Sequence, residues 1–295
     1  MAKRRLPSNP GRERATTPEP ILAHRRSTGP LAARVWSVLR FVAYYVGANL
    51  DVALAYRAAF AAKVFAFVVS DAMWVAFWWL YFERFPSVEG YGFRQVVIVW
   101  AIAATAFGMF GGVEAGATTI ATRVARGELD FYLVLPKAPL LHLIVSRMDP
   151  GGFGDALFGI VTFAALARPS LEEAAAFTVL AVLATVIITA YIVAVQSLAF
   201  WTGRAETIAD QALFGLITFA TYPERLFGGP VKIVLFTLVP AGFVSYVPVR
   251  LIQEWDWTLA GALLTVAVGA TLASSAMFRL GLRRYQSGSA LSMRG

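Results

Sequence analysis

Residues 118–149 read TTIATRVARGELDFYLVLPKAPLLHLIVSRMD, and this stretch separates two apolar runs of near bilayer length without being an ordinary polar loop. Arg123, Arg126, Lys137 and Arg147 bring positive charge, with Glu128, Asp130 and Asp149 among them. Between them lie Leu129, Phe131, Tyr132, Leu133, Val134 and Leu135, and Pro136 and Pro139 end the pattern. Gly127 ahead of Glu128-Leu129-Asp130 marks a break from one short helix into a second. A half-apolar, half-charged segment beside two spans belongs at the cytoplasmic interface, with its polar side toward the cytosol. A basic loop that only fixes topology is the competing reading of the same residues.

Working outward, composition sets the class. The 295 residues are 58% hydrophobic and 15% charged, with a mean hydropathy of +0.63. A soluble domain carries about a quarter charged residues. The apolar residues gather in runs near bilayer length and do not alternate as barrel strands do. The fold class is therefore an all-α membrane protein. The net charge of +8 does not point to nucleic acid, because ten of the 26 Lys and Arg lie in residues 1–57 and most others flank apolar runs, where topology signals belong. With no cysteine, disulfides, thiolate metal sites and cysteine nucleophiles are excluded. His24 and His142 are too few for a histidine metal site or a proton relay.

Residues 1–30 hold five prolines, many charges and almost no apolar periodicity, and read as a disordered basic tail. Residues 31–57 read as an amphipathic helix on the inner membrane surface, with Val35, Trp36, Leu39, Val42, Ala43 and Val46 at helical spacing and Arg34 and Arg40 between them. Residues 58–290 form the membrane-spanning body, and 291–295 a short C-terminal tail. Its spans are read at residues 58–82, 94–116, 149–167, 174–201, 207–222 and 257–278. Asp71 falls near mid-membrane, where an isolated carboxylate costs about 2.5–3.5 kcal/mol on insertion scales, so it is expected to face protein or a polar path. Glu114 and Asp155 are further embedded acids, and all three read as scattered. Gly108, Gly112 and Gly116 put one smooth stripe on the second span for close helix packing. Residues 231–251 are apolar but broken by Pro240, Gly242 and Pro248.

Charge bias orders these segments. With both termini cytoplasmic, 19 of the 26 cations fall inside, which needs an even number of crossings. Counting 231–251 as a span gives seven, so it is read as a re-entrant element before the sixth span. Six crossings result.

With the segments in order, several motifs carry a family resemblance: Ala55-Tyr56-Arg57 before the first span, Gly127-Glu128-Leu129-Asp130 with Leu135-Pro136, Phe200-Trp201, and Tyr222-Pro223. Val239-Pro240-Ala241 with Tyr246-Val247-Pro248 and the terminal Gly281-Leu282-Arg283-Arg284-Tyr285-Gln286-Ser287-Gly288 complete the set. Over residues 31–290 the chain resembles a permease subunit of the ABC type-2 transporter family. That resemblance implies six helices, an N-terminal interfacial helix, a cytoplasmic coupling helix between spans 2 and 3 and a re-entrant element before span 6. It also implies a bacterial cytoplasmic-membrane protein that pairs with a second permease, as a homodimer or with a sister chain. Arg123, Arg126, Glu128, Leu129, Asp130 and Phe131 become the candidate ATPase-coupling residues. Asp71, Glu114 and Asp155 are the candidate membrane-embedded polar residues, with no catalytic or metal-binding set.

No GxxxxGK[ST] phosphate loop occurs in the sequence, so ATP and magnesium are expected on a separate ABC ATPase and not on this chain. The remaining contacts implied are with membrane lipid. Two other classes compete. An intramembrane enzyme needs clustered catalytic groups, which the scattered acids do not supply. A non-transporting scaffold or sensor subunit of such a complex fits the same residues. Purified alone, the chain should hydrolyse no ATP above background, and co-expression should recover a separate ATPase. Robust nucleotide turnover by the isolated chain would overturn this reading.

Overall fold

The computed structural model describes residues 31–285, and every named element among them is a helix. The expected tails at 1–30 and 291–295, and the end of the terminal motif from Gln286 on, lie outside the described residues. In chain order the helices are α1 (Leu31–Ala55), α2 (Arg57–Arg84), α3 (Phe93–Met109), α4 (Ile120–Ala125), α5 (Asp130–Leu133), α6 (Pro139–Val145) and α7 (Pro150–Thr162). They continue as α8 (Leu171–Ser197), α9 (Ala199–Thr202), α10 (Glu206–Thr221), α11 (Gly229–Thr237), α12 (Val247–Gln253) and α13 (Trp257–Leu282). Residues 31–40 of α1 form a unit of their own. Its side chains from Ala32 to Arg40 are exposed, and Ser37 Oγ donates to the Arg34 carbonyl at 3.0 Å. All that follows concerns residues from Phe41 onward, unless α1 is named as a whole.

The sequence explains where the helices start and where they deform. Asp149 caps α7 by accepting from Gly151 N at 2.8 Å, with Pro150 in the first turn. Ser170 and Glu173 form a reciprocal capping box on α8. Asp256 caps α13 through Thr258 N at 2.7 Å. After α3 the helix loosens into a π turn at Phe110–Glu114 and then tightens into a 3-10 turn at Ala115–Thr119. Gly111, Gly112 and Gly116 lie in this stretch and offer little resistance to the change of winding. Two further π turns, Phe163–Ala167 and Gly242–Tyr246, end α7 and precede α12.

Six helical stretches are long and apolar enough to cross a membrane: Ala32–Ala55, Arg57–Arg84, Phe93–Ala125, Pro150–Ala167, Leu171–Thr202 and Trp257–Leu282. The number agrees with expectation, but the membership does not. The helix read as interfacial, α1, meets the length and hydropathy condition. The expected fifth span is α10, whose 16 residues reach only about 24 Å at 1.5 Å per residue, short of a hydrocarbon core of about 30 Å. The expected re-entrant stretch resolves into α11 and a second arm, Gly242–Gln253, bent 77° from it.

The core forms around α3, whose residues are apolar on every face (VVIVWAIAATAF) and buried almost throughout from Val96 to Ala106. It packs along α7 and α8, while α2 packs on α7 and α13 on α8. The closest approaches run through glycine. A Cβ on Gly108 would fall on the Ala156 backbone, one on Gly116 on the Leu143 carbonyl, and one on Gly152 on the backbone of Gly112. The expected stripe is thus two tight points and one loose one, because a Cβ on Gly112 would meet only the Phe153 ring, at 3.7 Å. Gly108→Ala should therefore cost about 1–3 kcal/mol through overpacking, read as a fall of several degrees in the melting temperature of the detergent-purified protein. Gly112→Ala should leave it unchanged or slightly raised. Equal effects at the two positions would contradict this packing.

Candidate functional site

Two groups of predicted residues converge in different ways. In the 118–149 segment, α4 ends at Ala125, and Gly127, whose φ of +71° suits glycine, turns the chain toward α5. That turn sorts the six candidate residues onto two sides. Leu129 and Tyr132 are buried, at 1% and 6% exposure, and anchor the segment in the main core. Arg123 lies inward too: its Nε donates to Thr119 Oγ1 at 2.9 Å, its Nη1 donates to the Tyr132 hydroxyl, and its guanidinium stacks on that ring. Asp130 lies beside the buried Tyr285 hydroxyl, and burial first, then the Asp130 charge, raises the Tyr285 pKa above the usual phenol value. Outward stand Arg126, Glu128 and Phe131, the last 66% exposed. Arg126 and Glu128 approach at 3.9 Å, an exposed pair worth about 0–1 kcal/mol.

The same segment receives α1. Tyr45 shares a 2.8 Å hydrogen bond with His142 Nδ1, Asn49 Nδ2 donates to the Val145 carbonyl at 3.1 Å, and the Lys137 ammonium lies 5.3 Å from the centre of the Phe41 ring. Positions 41, 45 and 49 are one face of a helix. Burial, and then the Lys137 charge, lowers the His142 pKa.

Sequence reasoning missed the clamp at the start of this segment. Gln196, 2% exposed near the end of α8, donates Nε2 to the Thr118 carbonyl at 2.7 Å and accepts from Ala121 N at 2.8 Å. A lone amide in the most apolar run of the chain was the available signal.

The membrane-embedded acids are not scattered as expected. Asp71 on α2 and Asp155 on α7 share a side-chain hydrogen bond, and Asp149 is near enough for its charge to be felt. Two carboxyl groups bond to each other only if one carries the proton. Six residues before Asp155, Asp149 pairs with Lys63 of α2 at 2.8 Å. The two contacts tie α2 to α7 along the face where Gly151 and Gly154 let the helices close on Phe67 and Val64. Glu114 stands apart. It ends the π turn, accepts from the Thr189 hydroxyl, and lines a cavity of about 170 Å³ with Thr271, Ser274 and Ser275. A second missed group is Glu224, 1% exposed, held by Lys232 at 2.6 Å and by Arg250 at 2.7 Å. It joins the turn after α10 to both arms of the bent pair through two cations that are themselves about half exposed, at 48% and 54%.

For the Asp71–Asp155 pair, the expected order of stability is specific. Asp71→Asn keeps a hydrogen bond and should be tolerated. Asp71→Leu strands Asp155 and should cost about 1–3 kcal/mol, while Asp71→Leu with Asp155→Leu should recover most of that loss. Additive losses in the double variant, measured by thermal unfolding in detergent, would show that the two groups do not act together.

Comparison with known proteins bears on residues 67–289, which match a family model described as ABC-2 family transporter protein. No curated protein and no solved structure matches the chain. The matched region takes in α3 to α13, the Asp71–Asp155 pair and the whole of the 118–149 segment. This multi-pass membrane chain belongs to the ABC-2 transporter family.

Proposed function

We propose that the chain is the permease subunit of an ATP-driven exporter in a bacterial cytoplasmic membrane, working as a pair with a second permease and driven by a separate cytoplasmic ABC ATPase. The observation that carries this reading is the two-sided build of residues 123–133. A handle for an ATPase needs a rigid attachment to the bundle and exposed groups to grip. Leu129, Tyr132 and Arg123 supply the first, and Arg126, Glu128 and Phe131 the second. ATP and magnesium sit on the partner in this reading, and this chain supplies no catalytic group.

The same proposal orders the remaining elements. From Phe41 on, α1 lays one face along residues 137–145, which favours a helix lying at the inner interface beside the handle. The 77° bend between α11 and Gly242–Gln253 suits a re-entrant element. α10 then crosses as a short span in a locally thinned bilayer, and both termini are cytoplasmic.

The structure sharpens the test. Asp130 is a poor choice for charge reversal because it lies against Tyr285. Glu128→Lys with Phe131→Ala changes only the outward side. Recovery of a co-expressed ATPase should fall at least tenfold, since truncating one partner of a desolvated contact costs about 2–5 kcal/mol, while membrane insertion stays normal. Undiminished recovery with normal transport would reduce the segment to a topology loop. Lost transport with full ATPase recovery would favour a scaffold or sensor subunit.

A further inference from the structure

At the end of the bundle opposite residues 118–149, a polar cavity of about 170 Å³ opens between the loop before α3, the turn after α10 and the end of α12. Gly90, Tyr91, Gln95, Arg225, Arg250 and Gln253 line it, and none of these side chains is acidic. Apart from Gly90, each carries a side-chain N–H or O–H donor. Arg225 spends Nη1 on the Glu89 carbonyl at 3.1 Å, and its guanidinium lies 5.5 Å from the centre of the Tyr91 ring, with no carboxylate paired to it among the described residues. Arg250 spends Nη2 on the two Glu224 oxygens at 2.9 and 2.7 Å. Gln95 has its oxygen occupied by Gly92 N at 2.7 Å, which leaves its NH₂ to offer. Burial, then the Glu224 charge, raises the Tyr91 pKa, so its phenol keeps its proton.

Charge points the same way. Glu224 is enclosed by Lys232 and Arg250, so with Arg225 the neighbourhood holds three cations against one buried anion. Glu89 is an exposed loop acid, and Glu254 and Asp256 belong to the adjoining cleft, where Asp256 is occupied in capping α13. The backbone also makes room for Arg225. Gly90 has φ +79°, and a Cβ there would press on Arg225 Nη1 at 2.5 Å.

We infer that this cavity binds one phosphate group per chain, gripped by Arg225 and Arg250 with Gln95, Gln253 and Tyr91 donating around it. An arginine fork suits the planar, two-pronged approach to phosphate oxygens. At about 30 Å³ per water, the volume holds a phosphate with a few polar atoms, so any acyl chain would lie outside. The phosphate comes either from a lipid headgroup or from a free phosphate ester. The edge-to-face pair Trp255 and Trp257, 43% and 80% exposed, lines the adjoining cleft and is of the kind found at headgroup depth.

The test uses the full chain, stripped of native lipid in detergent, and needs no ATPase, so its result is independent of the exporter proposal. Native mass spectrometry reads phosphatidylglycerol adducts, and calorimetry reads inorganic phosphate against chloride at matched ionic strength. At least one probe should bind with one saturable site, weakened about tenfold or more by Arg225→Gln and by Gln253→Glu, and less by Arg225→Lys. Gln253 is exposed, so its variant stays informative even if Arg225→Gln fails to fold. Binding of phosphatidylglycerol alone assigns the headgroup, and binding of inorganic phosphate assigns the free ester. Binding of neither, or equal binding by wild type and both variants, overturns the inference.

Discussion

Inside a bilayer no water is available to a stray backbone N–H or C=O, so any departure from regular helix must be repaired by protein groups. This constraint governs the molecule, because its long apolar stretches are not regular. The span that begins at Phe93 loosens at Phe110, tightens at Ala115 and only then resumes as α4. Gln196 meets the break from the neighbouring helix, taking the Thr118 carbonyl and the Ala121 amide on one side chain. Thr118 and Thr119 add local repairs through their hydroxyls, to the carbonyls of Ala115 and Gly116. Without such partners each freed group would cost about 1–3 kcal/mol. The break is therefore held in one geometry, and so is the direction in which the chain leaves the bundle.

A second consequence concerns what holds helices together where lipid is as apolar as leucine. Association there depends on close contact and on polar bonds. Both appear at the same seam. The glycines of α7 bring its backbone against α2 and against the end of α3, and the Lys63–Asp149 and Asp71–Asp155 contacts lie on that seam. The other seam, between α8 and α13, holds the small cavity lined by Thr189, Thr271, Ser274 and Ser275, and toward its end Phe200 presses on Gly281 and meets Phe278 edge-on.

Much of this was legible in the sequence, for identifiable reasons. Apolar runs flanked by cations gave the helical class and most of the long stretches, since hydropathy alone decides whether a segment tolerates lipid. Gly127, Pro139 and Pro150 marked real boundaries because their backbone preferences act locally. The choice of which apolar helices cross was less legible. α1 carries Arg34 and Arg40 yet remains apolar enough to span, and α10 reaches its apolar limit in 16 residues. Partnerships were the least legible part. Asp71 and Asp155 are 84 positions apart, and nothing in either neighbourhood says that α2 and α7 bring them together. Glu224 looked like a loop residue after Pro223, although Arg250 and Lys232 close over it. The inward and outward sides of residues 123–133 could not be separated either, because a four-residue helix is too short to show a periodicity.

These partnerships give α8 a particular mechanical position. At one end Glu173 binds Arg94 at 2.7 Å, and Arg94 Nε also donates to the Ala167 carbonyl at 3.0 Å, so the starts of α3 and α8 and the end of α7 are fixed to one another. At the other end Gln196 fixes the same helix to the entrance of residues 118–149. Between these points Thr185 donates to the Ala106 carbonyl at 3.2 Å. A helix held to its neighbour at three levels moves with it as a body and does not slide past it. If residues 123–133 are the ATPase handle proposed above, a load on Arg126, Glu128 and Phe131 would pass through the buried Leu129 and Tyr132 into the α3–α8 pair. The seams free to shift would be those on either side of that pair. On the α2–α7 side the close glycine contacts are joined by a pair of carboxyl groups and one partly exposed ion pair, contacts that depend on protonation and solvation more than packed apolar surfaces do. Relative movement of the helices would therefore be expressed first between α2 and α7.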